Sequence, residues 1–109
     1  MELRCMYTVT VANELRLEWD PAKDRANRRK HGVSFDEART AFLDEHGRIM
    51  HDPDHLDDED RFVLLAFSSA LRLLVVCHCY RTGEDIIRII SARKATRKER
   101  ATYAQGWKR

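Results

Sequence analysis

Residues 61–91, RFVLLAFSSALRLLVVCHCYRTGEDIIRIIS, contain three apolar runs separated by two short breaks. The runs RFVLLAFS (61–68), LRLLVVCHCY (71–80) and DIIRIIS (85–91) have the length and the β-branched, aromatic content of strands. Their links, Ser69-Ala70 and Arg81-Thr82-Gly83-Glu84, are hairpin-sized, so the expectation is an antiparallel meander.

Working upstream, ELRLEW (14–19) alternates polar residues with Leu15, Leu17 and Trp19, the pattern of a half-buried strand. Asp20-Pro21 then supplies an N-cap and a proline at the first helical position. The helix that starts there ends in Arg28, Arg29 and Lys30, cations suited to a helix C-terminus, with Gly32 as its stop. Ser34-x-x-Glu37 is a capping box for a second short helix ending near Asp44, with Phe35, Ala38, Ala41 and Phe42 at helical spacing. A short strand around 48–50 and an acidic loop with Pro53 come next. Downstream of the meander, Thr96-x-x-Glu99 opens a final helix displaying Arg100, Tyr103, Ala104 and Trp107. The order predicts an α+β fold, a mostly antiparallel sheet with two N-terminal helices and one C-terminal helix, the helices covering one face. Residues 14–109 read as a single domain, while residues 1–13 fit either a strand extension (7–11) or a loose tail.

A chain of 109 residues suits one domain. With 43% hydrophobic and 35% charged residues, and no apolar run near the roughly 20 a membrane span needs, the composition is that of a soluble protein. The opening MELRCMYTVTV lacks the layout of a secretory signal, which points to the cytoplasm. Cys5, Cys77 and Cys79 are odd in number and lack a second pair for a zinc site, so they read as reduced core or near-core residues. The net charge of +2 hides a split: residues 44–60 are rich in acids, whereas 23–31 and 88–100 are mostly basic. Such asymmetry fits either a polyanion-facing surface beside an acidic patch or two solvated faces.

Charged residues inside apolar strands need a partner or an open cleft. Arg88 is the sharpest case, and Glu59, Arg61, His78, Tyr80 and Arg88 would meet at one end of an uncovered sheet face if the registers cooperate. The competing readings are structural: Arg88 paired with an acid at 57–60, His78 bonded to a backbone carbonyl in the core, and His31 capping helix carbonyls. HDPDHLDDED (51–60) is rich in potential ligands but matches neither a calcium loop nor a zinc-protease spacing, so no metal and no cofactor is expected. Arg93 and Lys94, just before a helix, suit phosphate contact, and Tyr80, Tyr103 and Trp107 suit either base stacking or packing.

LEWDPAKDRANRRKHGVSFDEA (17–38), then RFVLLAFS, LLVVCHCYR and RIISARKATRKERATY in the same order, resemble the BrnT family of bacterial toxins over about residues 15–104. The resemblance implies a compact RelE-like endoribonuclease that halts translation. It also implies a BrnA-type antitoxin, whose ribbon-helix-helix part contacts operator DNA, in a hetero-tetramer of two toxins and two antitoxins. Most relatives begin close to the strand holding Trp19, and the acidic loop is denser here. Metal-free RNA cleavage needs a base, an acid and cations. His31 or His78 would exchange protons, Glu59 would act as base or orient a histidine, and Arg61 and Arg88 would stabilise the phosphate. Lys23, Lys30, Arg81, Arg93 and Lys94 would guide RNA, with Tyr80 stacking on a base. A non-catalytic module binding nucleic acid or a partner protein is the alternative, and a metal hydrolase ranks last.

Overall fold

A computed structural model describes residues 7–11, 15–52, 61–80 and 86–107, with side chains at 16–52, 61–80 and 86–105. The elements are β1 (Tyr7–Val11), β2 (Leu15–Trp19), α1 (Pro21–His31), α2 (Phe35–Ala41), β3 (Arg48–His51), β4 (Arg61–Phe67), β5 (Leu73–Tyr80), β6 (Ile86–Lys94) and α3 (Arg97–Trp107). The strands form one sheet in the order β1-β2-β6-β5-β4-β3.

The helices begin and end for local reasons. Asp20 accepts a hydrogen bond from the Ala22 N–H at 2.9 Å, Pro21 occupies the first turn, and Gly32 closes α1 in the left-handed region at φ 71°. Ser34 caps α2 by accepting from the Glu37 N–H at 3.0 Å. Glu37 does not reach back to complete the expected box. Its carboxylate instead accepts from Arg72 and from the Ser68 hydroxyl at 2.7 Å, which ties α2 to the β4–β5 turn. At α3 the box is reciprocal: Thr96 Oγ1 accepts from the Glu99 N–H at 3.2 Å, and Glu99 accepts from the Thr96 N–H at 2.8 Å.

The sheet corrects two expectations. Strands β3 to β6 do pair antiparallel, and β1 forms an antiparallel hairpin with β2, but β2 lies parallel to β6 through Leu17↔Ile87 and Glu18↔Arg88. Parallel neighbours need a long crossover, and α1 and α2 begin that return. The helices also cover both faces. Leu17, Trp19, Leu64, Ala66, Leu74, Val76, Ile87, Ile89 and Ala92 pack with Val33, Phe35, Ala38 and Ala41 of the α1–α2 segment. The alternate residues Leu65, Leu73 and Val75 pack against Tyr103 of α3. Apolar side chains at successive positions of β4 and β5 require cover on both sides, and α3 supplies the second.

Two polar anchors hold this arrangement. Asn27, buried in α1, donates to the carbonyls of Val33 and Ala92, both at 2.8 Å, and accepts from the Ala92 N–H at 3.1 Å. Asp44 accepts from the Phe67 N–H at 2.9 Å and from the Tyr103 hydroxyl at 2.7 Å, joining α3 to β4. Arg93 holds Glu99 through two 2.8 Å bonds, and this pairing is the main reason the Glu99 carboxyl falls to about 2.

Asn27→Ala strands one buried N–H and two carbonyls, so it is expected to lower unfolding free energy by about 2–4 kcal/mol in urea titration. Acid should destabilise the fold in two stages. Burial holds the His78 imidazole below its usual 6.5, so from about pH 6.5 downward the unfolded chain takes a proton that the folded chain refuses. Glu99 adds a second loss between 4.5 and about 2, because its folded carboxylate resists a proton that the unfolded one accepts. Urea midpoints measured from pH 7 to 3 should lose the upper stage in His78→Phe and shrink in the lower stage in Glu99→Gln.

Candidate functional site

One end of the sheet gathers the close of β3, the start of β4, the close of β5 and the start of β6. Arg61 lies opposite Cys79, Cys79 opposite Arg88, and Arg88 beside Glu18 of the parallel strand β2. Glu18, Arg88, Cys79 and Arg61 therefore form one row across four strands on the α3 face. With neighbouring strands about 4.8 Å apart, the two arginine backbones stand roughly 10 Å from each other.

The row is built from costly groups. Glu18 is 3% exposed and Asp52, just after β3, is 5% exposed. Asp52 Oδ2 accepts from the Cys77 thiol at 3.4 Å, and the Asp52 N–H donates to the Arg61 carbonyl at 3.1 Å. Burial pushes the Cys77 thiol up to about 11, with Asp52 adding to the rise and the Arg61 guanidinium opposing it. Cys77 is thus a protonated donor at neutral pH rather than a thiolate nucleophile. Arg88 differs from its neighbours: it is half-buried and makes no hydrogen bond or ion pair with any described residue. A guanidinium on a sheet face with no partner among the described residues is a ready site for a bidentate anion such as phosphate, while the acids at 57–60 lie outside those residues. A cleft of about 210 Å³ adjoins the row beneath α3, lined in part by Met50, Asp52, Val63, Val75, Arg93 and Glu99.

His78 and Tyr80 do not join this row, contrary to the expected convergence. Arg61 pairs with Cys79, so period-2 alternation sends His78 and Tyr80 to the α1–α2 face of the same sheet end. His78 is wholly buried. Its Nδ1 lies 3.0 Å from the Val76 carbonyl, which makes Nδ1–H the donor and Nε2 the lone-pair nitrogen, with no hydrogen-bond partner among the described residues. Its ring meets Phe42 edge-on at 5.0 Å and stacks with Phe62 at 6.2 Å.

The remaining candidates stand elsewhere. His31 ends α1 beside Gly32, whose carbonyl accepts from Arg72 at 3.1 Å just before β5 begins. Cys79 is near the other end of β5, so His31 and Arg88 are separated by roughly 20 Å along the sheet. Lys23 and Lys30 are exposed on α1, and Lys94 is exposed opposite Leu74 at that same far end. Arg93 is engaged by Glu99. Glu59 and Arg81 lie outside the described residues.

Sequence reading passes over Glu18 and takes Asp52 only as one of the potential metal ligands of 51–60. The alternation of LEW does place Glu18 opposite the core face, but only the parallel register with β6 brings it beside Arg88. Among the described residues no group of three or more His, Cys, Asp and Glu is placed to hold a metal ion, and no helix is long and apolar enough to cross a membrane.

The fold is similar to the 1.1 Å crystal structure of the Brucella abortus ribonuclease toxin BrnT, with a TM-score of 0.56 and 21% identity, covering 72% of this chain and 94% of that one. No match was found among curated proteins. The profile of the family described as "Ribonuclease toxin, BrnT, of type II toxin-antitoxin system" matches residues 19–99, a span holding Arg61, Arg88 and the sheet end around them. The chain belongs to the BrnT family of ribonuclease toxins of type II toxin-antitoxin systems.

Proposed function

We propose that this protein is a metal-independent endoribonuclease of the cytoplasm that cuts RNA at the Arg61–Arg88 end of the sheet and thereby halts translation. The observation that carries the reading is Arg88, a guanidinium with no partner among the described residues, in a row with Arg61 in a ribonuclease-toxin family member. Attack by a ribose 2′-OH builds negative charge on the phosphorane oxygens, and two fixed guanidiniums offset it without a metal. Arg88 would grip the scissile phosphate bidentately, with Arg61 on its far side. Glu59, two residues ahead of Arg61, would take the 2′-OH proton as the 2′-oxygen bonds to phosphorus, and the 5′-oxygen, its bond to phosphorus broken, would take a proton from water, leaving a 2′,3′-cyclic phosphate and a 5′-hydroxyl end. His78, being buried, would act by positioning its neighbours, and His31 at the other sheet end would serve with Lys23, Lys30, Arg93 and Lys94 to guide the strand, as would Arg81.

Type II membership brings an antitoxin partner. We assign it to the BrnA type, in a complex of two toxins and two antitoxins that meets operator DNA through the antitoxin alone. An acidic or amphipathic antitoxin segment against the cationic sheet end would block substrate by charge complementarity.

Purified protein incubated with RNA in EDTA should cleave it. Arg88→Ala should slow cleavage by 100-fold or more with an unchanged circular dichroism spectrum, and Arg88→Lys should recover only part, since the charge is kept but the fork is lost. Cleavage abolished by EDTA would overturn the metal-free reading, and full activity in Arg88→Ala would overturn the site.

A further inference from the structure

The same sheet end carries a row of rings on its other face. His51 closes β3, Phe62 lies directly opposite it on β4, and His78, the residue opposite Phe62 on β5, leads to Tyr80 two positions on. The His51 and Phe62 rings are 4.7 Å apart and inclined by 35°, and the Phe62 and Tyr80 rings are 5.3 Å apart and inclined by 69°. Three rings thus make a continuous surface with a wall set across it. α2 ends at Ala41, and His51 and Tyr80 remain exposed, Tyr80 by 40%.

The row is anchored from below. Phe62 stacks on wholly buried His78, which Phe42 holds edge-on. Burial keeps the His78 ring neutral and raises the Tyr80 phenol above its usual 10, so neither brings charge to the surface near pH 7. Ring faces on one side of a sheet end that carries two arginines on the other offer what single-stranded nucleic acid recognises: cations for the backbone, ring faces for unstacked bases. A duplex, whose bases are already stacked, gains nothing from such rings.

We propose that His51, Phe62 and Tyr80 form a base-stacking subsite that takes an unpaired base next along the strand from the phosphate held by Arg61 and Arg88 on the opposite face, which makes single-stranded RNA the substrate. This rests on the ribonuclease reading above. The strand would cross the end of the sheet, with its phosphate on the α3 face and a neighbouring base on the other.

The test is fluorescence anisotropy with a labelled 2′-O-methyl hexanucleotide, which cannot be cut because its 2′-oxygen is blocked, titrated at several salt concentrations. Tyr80→Ala and His51→Ala should each weaken binding by roughly 5- to 100-fold, the range for loss of one stacked base, without changing the salt slope. Tyr80→Phe should bind within about twofold of the wild type, and the same sequence in a duplex should bind more weakly. Arg88→Ala should lower the salt slope by about one instead. If both alanine variants bind and cleave RNA as the wild type does while Arg88→Ala still flattens the salt response, the stacking subsite is overturned and the ribonuclease reading survives. Loss of antitoxin binding alone in those variants would give the surface to the antitoxin and also overturn the proposal. No RNA binding by the wild type would overturn both.

Discussion

The parallel pairing of β2 with β6 is the constraint on which the candidate site depends. It sets Glu18, from the N-terminal half of the chain, beside Arg88 from the C-terminal half, and the antiparallel ladder extends that row through Cys79 to Arg61. Shifting the register by one residue would turn each charge to the opposite face and bury it against α1 and α2. The register is held firmly because Leu17, Ile87, Ile89 and Val76 must all enter the same core. Asn27 reinforces it by clasping the backbone of Ala92 on β6 from α1. Apolar packing on one face thus fixes the electrostatics of the other.

What was legible in the sequence was local. Asp20-Pro21, Ser34 and the Thr96–Glu99 box mark helix starts because a cap involves residues two or three apart, and all three caps form. The strands of the meander were legible from composition and length. Glu37 shows the limit of such reading: its spacing from Ser34 is right, but Arg72, 35 residues away, offers charge-assisted bonds that a backbone N–H does not match. The β2–β6 pairing was illegible for the same reason, since no local signal says which strand a returning chain will join.

Face assignment shows where the boundary lies. Period-2 alternation correctly separates odd from even positions within β4 and within β5: Arg61 shares a face with Val63, and Val76 shares one with His78. Whether the two groups share a face depends on a single residue of register, set by the β4–β5 turn. That turn contains Leu71 at φ 63°, a left-handed position filled by a residue with no local preference for it. A glycine there would announce the turn; leucine does not, and the sequence expectation therefore puts the arginines and the His78–Tyr80 pair on one face. The irregularity between Cys77 and His78 adds a further offset along β6 that no pattern in IIRIIS foretells.

The split between faces has a chemical consequence. Cations concentrate on one side of the sheet end and rings on the other, so the arginines are not stacked against rings that would compete for them. The described carboxylates of the cationic row are poorly placed as proton acceptors. Glu18 is 3% exposed, and Asp52 already accepts from the Cys77 thiol while its main chain is tied to Arg61. A base that takes a proton from a ribose must reach solvent-borne RNA and be free to change its hydrogen bonding during the reaction. Neither described carboxylate meets both requirements, and this is the physical reason the proposed mechanism gives the proton to Glu59, which precedes β4 in the sequence. In the proposed mechanism the sheet then contributes what sheets do well, fixed charge and fixed ring faces, and leaves the proton to Glu59.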